Sequence, residues 1–221
     1  LLGDFGEYES ISHHMNKRGQ RRVVNLRTFD IRNRNSLLYE YAAQNDVLDQ
    51  YDDALKENTK KVFIYGNHED WVRQLMEKDL DKLYYNGEIQ TVENSLYLKE
   101  RGYTQVAYND YYELGHLAIT HGEYHNRYAA KSHVEAYQKN IMFGHIHTVQ
   151  EFTVSTKTED VLKGKSIGCL CNINPSFLRG RANAWAHGFS VIYLFSDGTF
   201  QEQTVNIING KFIYNEKIYK G

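Results

Sequence analysis

Proline is almost absent from this chain: Pro175 is the only one. Cysteine is nearly as scarce, with Cys169 and Cys171 alone. So few thiols fit a reducing compartment, and their spacing of two puts both on one face of a strand. They are read as small core residues, not as a metal or redox pair. No apolar run approaches the roughly 18 residues that would suggest a membrane span. No secretory n-region and h-region precede the first strand-like residues, so the expected compartment is the cytoplasm and no membrane partner is expected. Charge of one sign is also lacking. A net charge of −2 excludes a protein coated in positive potential. Internal repeats, low-complexity stretches and linkers are missing too, which leaves residues 1–221 as a single domain.

What is present is an ordinary globular composition, 41% hydrophobic and 24% charged over 221 residues, long enough to bury a large core. Ser36 caps a predicted helix running to about Asn58, with Leu37, Leu38, Tyr41, Leu48, Tyr51 and Leu55 on one face. A β-rich run, Val62-Phe63-Ile64-Tyr65, follows, and Asp70 begins a second helix carrying Trp71, Leu75 and Met76. A short third helix lies near Asn94 to Arg101 and stops at Gly102. Tyr103 to Tyr108 and His116 to Thr120 alternate like strands paired with each other, with Asn109-Asp110 as the turn. A helix from about Asn126 to Lys139 leads into the strand Ile141-Met142-Phe143. Beyond Thr148 the pattern becomes strands and turns: Glu151 to Thr156, Ser166 to Ile173, Gly188 to Phe195, Thr199 to Ile208 and Lys211 to Tyr214. Ser196-Asp197-Gly198 and Asn209-Gly210 are hairpin turns.

The chemistry-bearing residues gather where strands end. Leu1-Leu2-Gly3-Asp4 closes one strand and Gly66-Asn67-His68-Glu69 another. Thr120-His121-Gly122 and Gly144-His145-Ile146-His147 close two more. A lone histidine after a strand is usually a hydrogen-bonded structural residue. Repeated ends of this kind are harder to explain so, because strands joined by helical crossovers point their carboxyl ends the same way. Carboxylate, amide oxygen and imidazole together suit Mn, Fe, Zn or Ni, not a thiolate site. His145 and His147 stand two apart, so one turn could hand them to two neighbouring ions. A separate basic segment holds Lys17, Arg18, Arg21, Arg22, Arg27, Arg32 and Arg34 against the single acid Asp30. It reads either as a solvated loop or as a flap that meets phosphates.

In their order, Gly3-Asp4, Gly66-Asn67-His68-Glu69, Thr120-His121-Gly122 and Gly144-His145-Ile146-His147 resemble the motifs of the calcineurin-like metallophosphoesterases. The resemblance covers Gly3 to His147. The stretch after it, including Gly168-Cys169 and Trp185 to Phe189, is similar to compact bacterial and phage members. It implies an α/β fold, a four-layer α/β/β/α sandwich of two mixed sheets, with a dinuclear metal centre. Carried over position by position, Asp4 would bridge two divalent ions, with Mn the first choice. Asn67, His121 and His145 would complete one ion's site, and His147 would bind the other. His68 would be the catalytic acid that protonates the leaving oxygen. Glu7 and Glu69 would orient ligands.

The resemblance departs at the start, where the family's opening Asp-x-His is absent. It belongs roughly 30 residues upstream of Asp4, one β-α unit away. A truncated chain, a segment supplied by a second chain, or a degenerate member would each account for this; the start in mid-strand without Met favours the first.

The implied function is metal-dependent hydrolysis of phosphate esters by a bridging hydroxide, leaning to phosphodiesterase or nuclease-like substrates, nucleic acid among them. Arg18, Arg21, Arg22, Arg179 and Arg181 are the candidates for holding a polyanion. The alternatives are a phosphomonoesterase and a non-catalytic module that keeps a single ion as a binding surface.

Overall fold

A computed structural model describes residues 1–8, 11, 31–155, 157, 161–175 and 178–221, with the side chains of 31–35 also outside that description. The chain is mixed α/β and divides into two compact units, Leu1–Tyr108 and Asn109–Gly221. Among the described residues no helix is long and apolar enough to cross a membrane.

The first unit contains α1 (Ile31–Ala54), β1 (Lys61–Ile64), α2 (Asn67–Lys78), a small hairpin of β2 (Tyr84–Tyr85) and β3 (Glu88–Ile89), α3 (Val92–Ser95) and β4 (Tyr103–Val106). β1 and β4 pair in parallel, Phe63 opposite Gln105. Leu1 extends this pairing on the chain's first residues: its amino group donates to Val62 O at 2.9 Å and its carbonyl accepts from Ile64 N at 3.0 Å. Gly3 and Asp4 therefore follow a short extended segment beside β1, as Gly66 and Asn67 follow β1 itself. The core joins Leu37, Tyr41 and Leu48 of α1 to Phe63, Trp71, Val72, Leu75 and Tyr103. The spacing of 37, 41 and 48 is one helical face. That face ends earlier than the sequence suggests, because Tyr51 and Leu55 are exposed.

The second unit is built on a five-stranded mixed sheet in the order β5-β6-β7-β9-β8. Its strands are β5 (Tyr112–Leu114), β6 (Leu117–Thr120), β7 (Asn140–Phe143), β8 (Val149–Ser155) and β9 (Val161–Ile167). β6, α4 (Ala129–Tyr137) and β7 form a parallel β-α-β unit, Thr120 opposite Phe143. α4 lies so close to β9 that a Cβ on Gly164 would come within 2.2 Å of Ala130 O. The chain closes with two antiparallel hairpins, β10 (His187–Leu194) with β11 (Phe200–Ile207), and β12 (Lys211–Tyr214) with β13 (Lys217–Lys220). The hairpin turns at 196–198 and 209–210 lie where the sequence puts them.

Several sequence expectations need correction. β4 does not pair with β6: it joins β1, while β6 takes β5 and β7 as neighbours. Alternation identifies a half-buried strand but not its partner. α1 starts at Ile31 and not at Ser36, and α2 starts at Asn67 and not at Asp70. The strand expected over Ser166 to Ile173 stops at Ile167, where Gly168 takes φ +84. Cys169 and Cys171 consequently lie beyond the strand as half-buried free thiols, not as core residues of one strand face.

Candidate functional site

In the first unit the site begins with Glu69. Its side chain is fully buried, yet it is an acid at the third position of α2. From there it accepts the N–H of Gly66 at 2.8 Å, the reach-back of a capping box. The same carboxylate accepts Asp4 N–H at 2.8 Å and Phe5 N–H at 2.7 Å. One side chain thus holds two strand-end turns together. A buried carboxylate is tolerated here because backbone donors and the positive end of α2 surround it.

Asp4 returns the arrangement. It sits at φ 48, and its Oδ1 accepts the N–H of His68 at 3.0 Å. Gly66 makes the approach feasible, since a Cβ there would lie 2.3 Å from Asp4 Oδ1 and 2.4 Å from Asp4 N. The ring of His68 is oriented by two contacts. It stacks on Trp71 with centroids 4.2 Å apart, and its Nδ1 lies 3.2 Å from the Gly6 carbonyl. With Nδ1–H donating to that carbonyl, Nε2 is left on the side of Asp4, 3.9 Å from Oδ2. Asn67, the first residue of α2, is half-buried, and Glu7 is exposed.

In the second unit the ends of β6 and β7 run side by side, with Gly144 N–H donating to His121 O at 2.9 Å. His121 is buried, and its Nε2 lies 3.2 Å from Nδ1 of half-buried His145. Without a metal this is a hydrogen bond between one protonated and one bare nitrogen. A divalent ion at roughly 2.0–2.1 Å from each nitrogen would see the pair at an angle of about 100°, so the two donors fit neighbouring positions on one ion. His145 and His147 both adopt left-handed backbone, φ 61 and 59. Such strain in a non-glycine residue persists only where the surroundings impose it. The two rings face different neighbours. His147 Nδ1 is 3.8 Å from Cys171 Sγ, and its ring meets Trp185 edge-on at 4.2 Å.

Arg179 and Arg181 are exposed, in the turn after Leu178. Arg18, Arg21 and Arg22 lie outside the described residues. Sequence reasoning missed Trp71 as the partner of His68, although a helix begun at Asn67 would have set them three apart on one face. It also missed His125, exposed and edge-on to His145 with ring centroids 6.1 Å apart. Compared with protein-family models, curated proteins and solved structures, the chain matches none.

Proposed function

We propose that this chain is a metal-dependent phosphoric-ester hydrolase of the calcineurin-like type, leaning to phosphodiesters. In this reading the fold is an α/β/β/α sandwich of two mixed sheets. Asp4, Asn67, His121, His145 and His147 are the metal ligands. The observation that carries the reading is the His121–His145 pair, two imidazole nitrogens 3.2 Å apart at neighbouring strand ends. Asp4 is the carboxylate this reading calls for, in left-handed backbone with its N–H donated to Glu69.

Divalent ions held by these residues would neutralise phosphoryl oxygens and lower the pKa of a bound water. The chain's own residues do the rest. Asp4 is positioned by its N–H on Glu69 and by accepting the His68 N–H. His68 is kept at one tilt by Trp71 and by the Gly6 carbonyl. That leaves Nε2 as the nitrogen from which a proton passes to the leaving oxygen.

The test is turnover of bis-p-nitrophenyl phosphate, p-nitrophenyl phosphate and DNA by the full-length protein with Mn²⁺. Diester hydrolysis above monoester hydrolysis supports the reading, and monoester preference moves it to a phosphatase. No metal-dependent turnover of any of them contradicts it. A steep loss of DNA affinity with salt would assign the basic residues to the substrate.

A further inference from the structure

We propose that His147, Cys169 and Cys171 form a second kind of metal site in this protein, one that takes a thiophilic divalent ion of the zinc class. One ligand atom from each residue lies within 4.8 Å of the others, and all three residues are half-buried. Cys171 Sγ and His147 Nδ1 are 3.8 Å apart. A zinc ion about 2.3 Å from a thiolate and 2.0–2.1 Å from an imidazole nitrogen separates them by roughly 3.5 Å at the tetrahedral angle. The pair therefore needs to close by only a few tenths of an ångström.

The site is built by three stretches of chain that are distant in sequence. His147 N–Cα–C sits in the turn after β7, and its carbonyl accepts Ala186 N–H at 2.9 Å. Ala186 O in turn accepts Cys169 N–H at 3.0 Å, and Cys169 O accepts Gly188 N–H at 3.0 Å. His187 Nε2 meets the Cys171 carbonyl at 2.6 Å, which sets the second cysteine. Gly168 allows the crossing, because a Cβ there would stand 2.5 Å from Ala186 O. The ring of Trp185 flanks His147. These hydrogen bonds fix the main chain at all three ligands before any ion arrives, so binding has only side chains left to order.

The donor set selects the ion. Two thiolates and one imidazole favour Zn²⁺ over Mn²⁺ or Mg²⁺, which prefer oxygen. Among the described residues no further His, Cys, Asp or Glu joins the group. A three-ligand site leaves a fourth position for water or an anion. Each thiol gives up its proton on binding, so affinity falls as pH falls. The site does not rest on the phosphoesterase reading, although both draw on His147: it needs neither Asp4 nor the His121–His145 pair.

The experiment is Zn²⁺ titration of the full-length protein under a phosphine reductant, followed by Co²⁺ substitution and absorption spectroscopy. The wild type is expected to show a thiolate-to-cobalt charge-transfer band. Cys169→Ser and Cys171→Ser are each expected to diminish it, the double variant to abolish it, and each to weaken Zn²⁺ binding by more than the roughly 10–100-fold that loss of an outer-shell partner costs. His121→Ala is expected to keep the band, which separates this site from the proposed phosphoesterase centre. Should a cysteine variant fail to fold, protection of both wild-type thiols from alkylation by Zn²⁺ gives the same answer. Co²⁺ uptake without a thiolate band, or wild-type Zn²⁺ affinity in folded Cys→Ser variants, overturns the proposal.

Discussion

Asp4 and Glu69 hold each other's surroundings in place. Glu69 Oε2 accepts the Asp4 N–H at 2.8 Å, and Asp4 Oδ1 accepts the N–H of His68, the residue before Glu69, at 3.0 Å. The candidate ligand and the candidate acid are therefore parts of one hydrogen-bonded unit with a buried glutamate at its centre.

Glu69→Ala should damage the fold before it damages chemistry. It strips partners from the N–H groups of Asp4, Phe5 and Gly66. An unsatisfied buried donor costs about 1–3 kcal/mol, so a loss on the order of 3 kcal/mol or more is expected in urea unfolding. A loss below about 0.5 kcal/mol, the size of an ordinary surface change, would remove Glu69 from this role.

Gly66→Ala tests the close approach without changing any polar group. Gly66 has φ −94, which alanine adopts freely, so the effect is steric. The new methyl would meet Asp4 Oδ1 at 2.3 Å and force the turn to move. Overpacking of this kind costs typically about 1–3 kcal/mol. Reduced metal content alongside that destabilisation is the expected result, and wild-type metal content and stability would argue against it.

Much of this turn was legible in the sequence, since Gly66-Asn67-His68-Glu69 ends a β-rich run and its residue types suggest polar chemistry. What local pattern could not show is that Glu69 reaches a turn 65 residues away. The start of α2 at Asn67, three residues before the expected one, goes with the capping bond from Gly66 N–H to Glu69. Cys171 was misread for a similar reason. Spacing two from Cys169 implies one strand face, but Gly168 ends the strand and brings the pair against His147. Nor does composition announce left-handed backbone at Asp4, His145 and His147, where neither glycine nor asparagine stands.

Acid should weaken the second unit through His133. The residue is fully buried; its Nδ1 lies 2.8 Å from Ala129 O and its Nε2 accepts Glu123 N–H at 3.1 Å. Those partners require the neutral ring with its proton on Nδ1. Burial lowers its pKa from the ordinary 6.5, with the Ala129 carbonyl opposing. The unfolded chain then binds more protons than the folded one as pH falls through about 6.5, so this contribution is present above that pH and lost below it. Thermal unfolding between pH 7.5 and 5 should show the decline, and His133→Gln should flatten it. An unchanged slope in that variant would assign the decline to other groups.

His68→Ala should separate chemistry from binding. Loss of a general acid lowers turnover by about 10²–10⁴-fold, while metal content stays near that of the wild type because no ligand has gone. If the variant instead loses its metals and keeps its rate per bound metal, His68 is a ligand and the acid is another residue.

His121 and His145 are proposed to share one divalent ion of a phosphoesterase centre. It is tested most directly by the Mn²⁺ content and Mn²⁺-dependent diesterase rate of the full-length protein beside His121→Ala and His145→Ala. The expected result is about two Mn²⁺ per wild-type chain, as a two-metal phosphoesterase requires, with Mn²⁺ and turnover lost together in both variants. Unchanged Mn²⁺ content and rate in folded variants would rule out the shared ion.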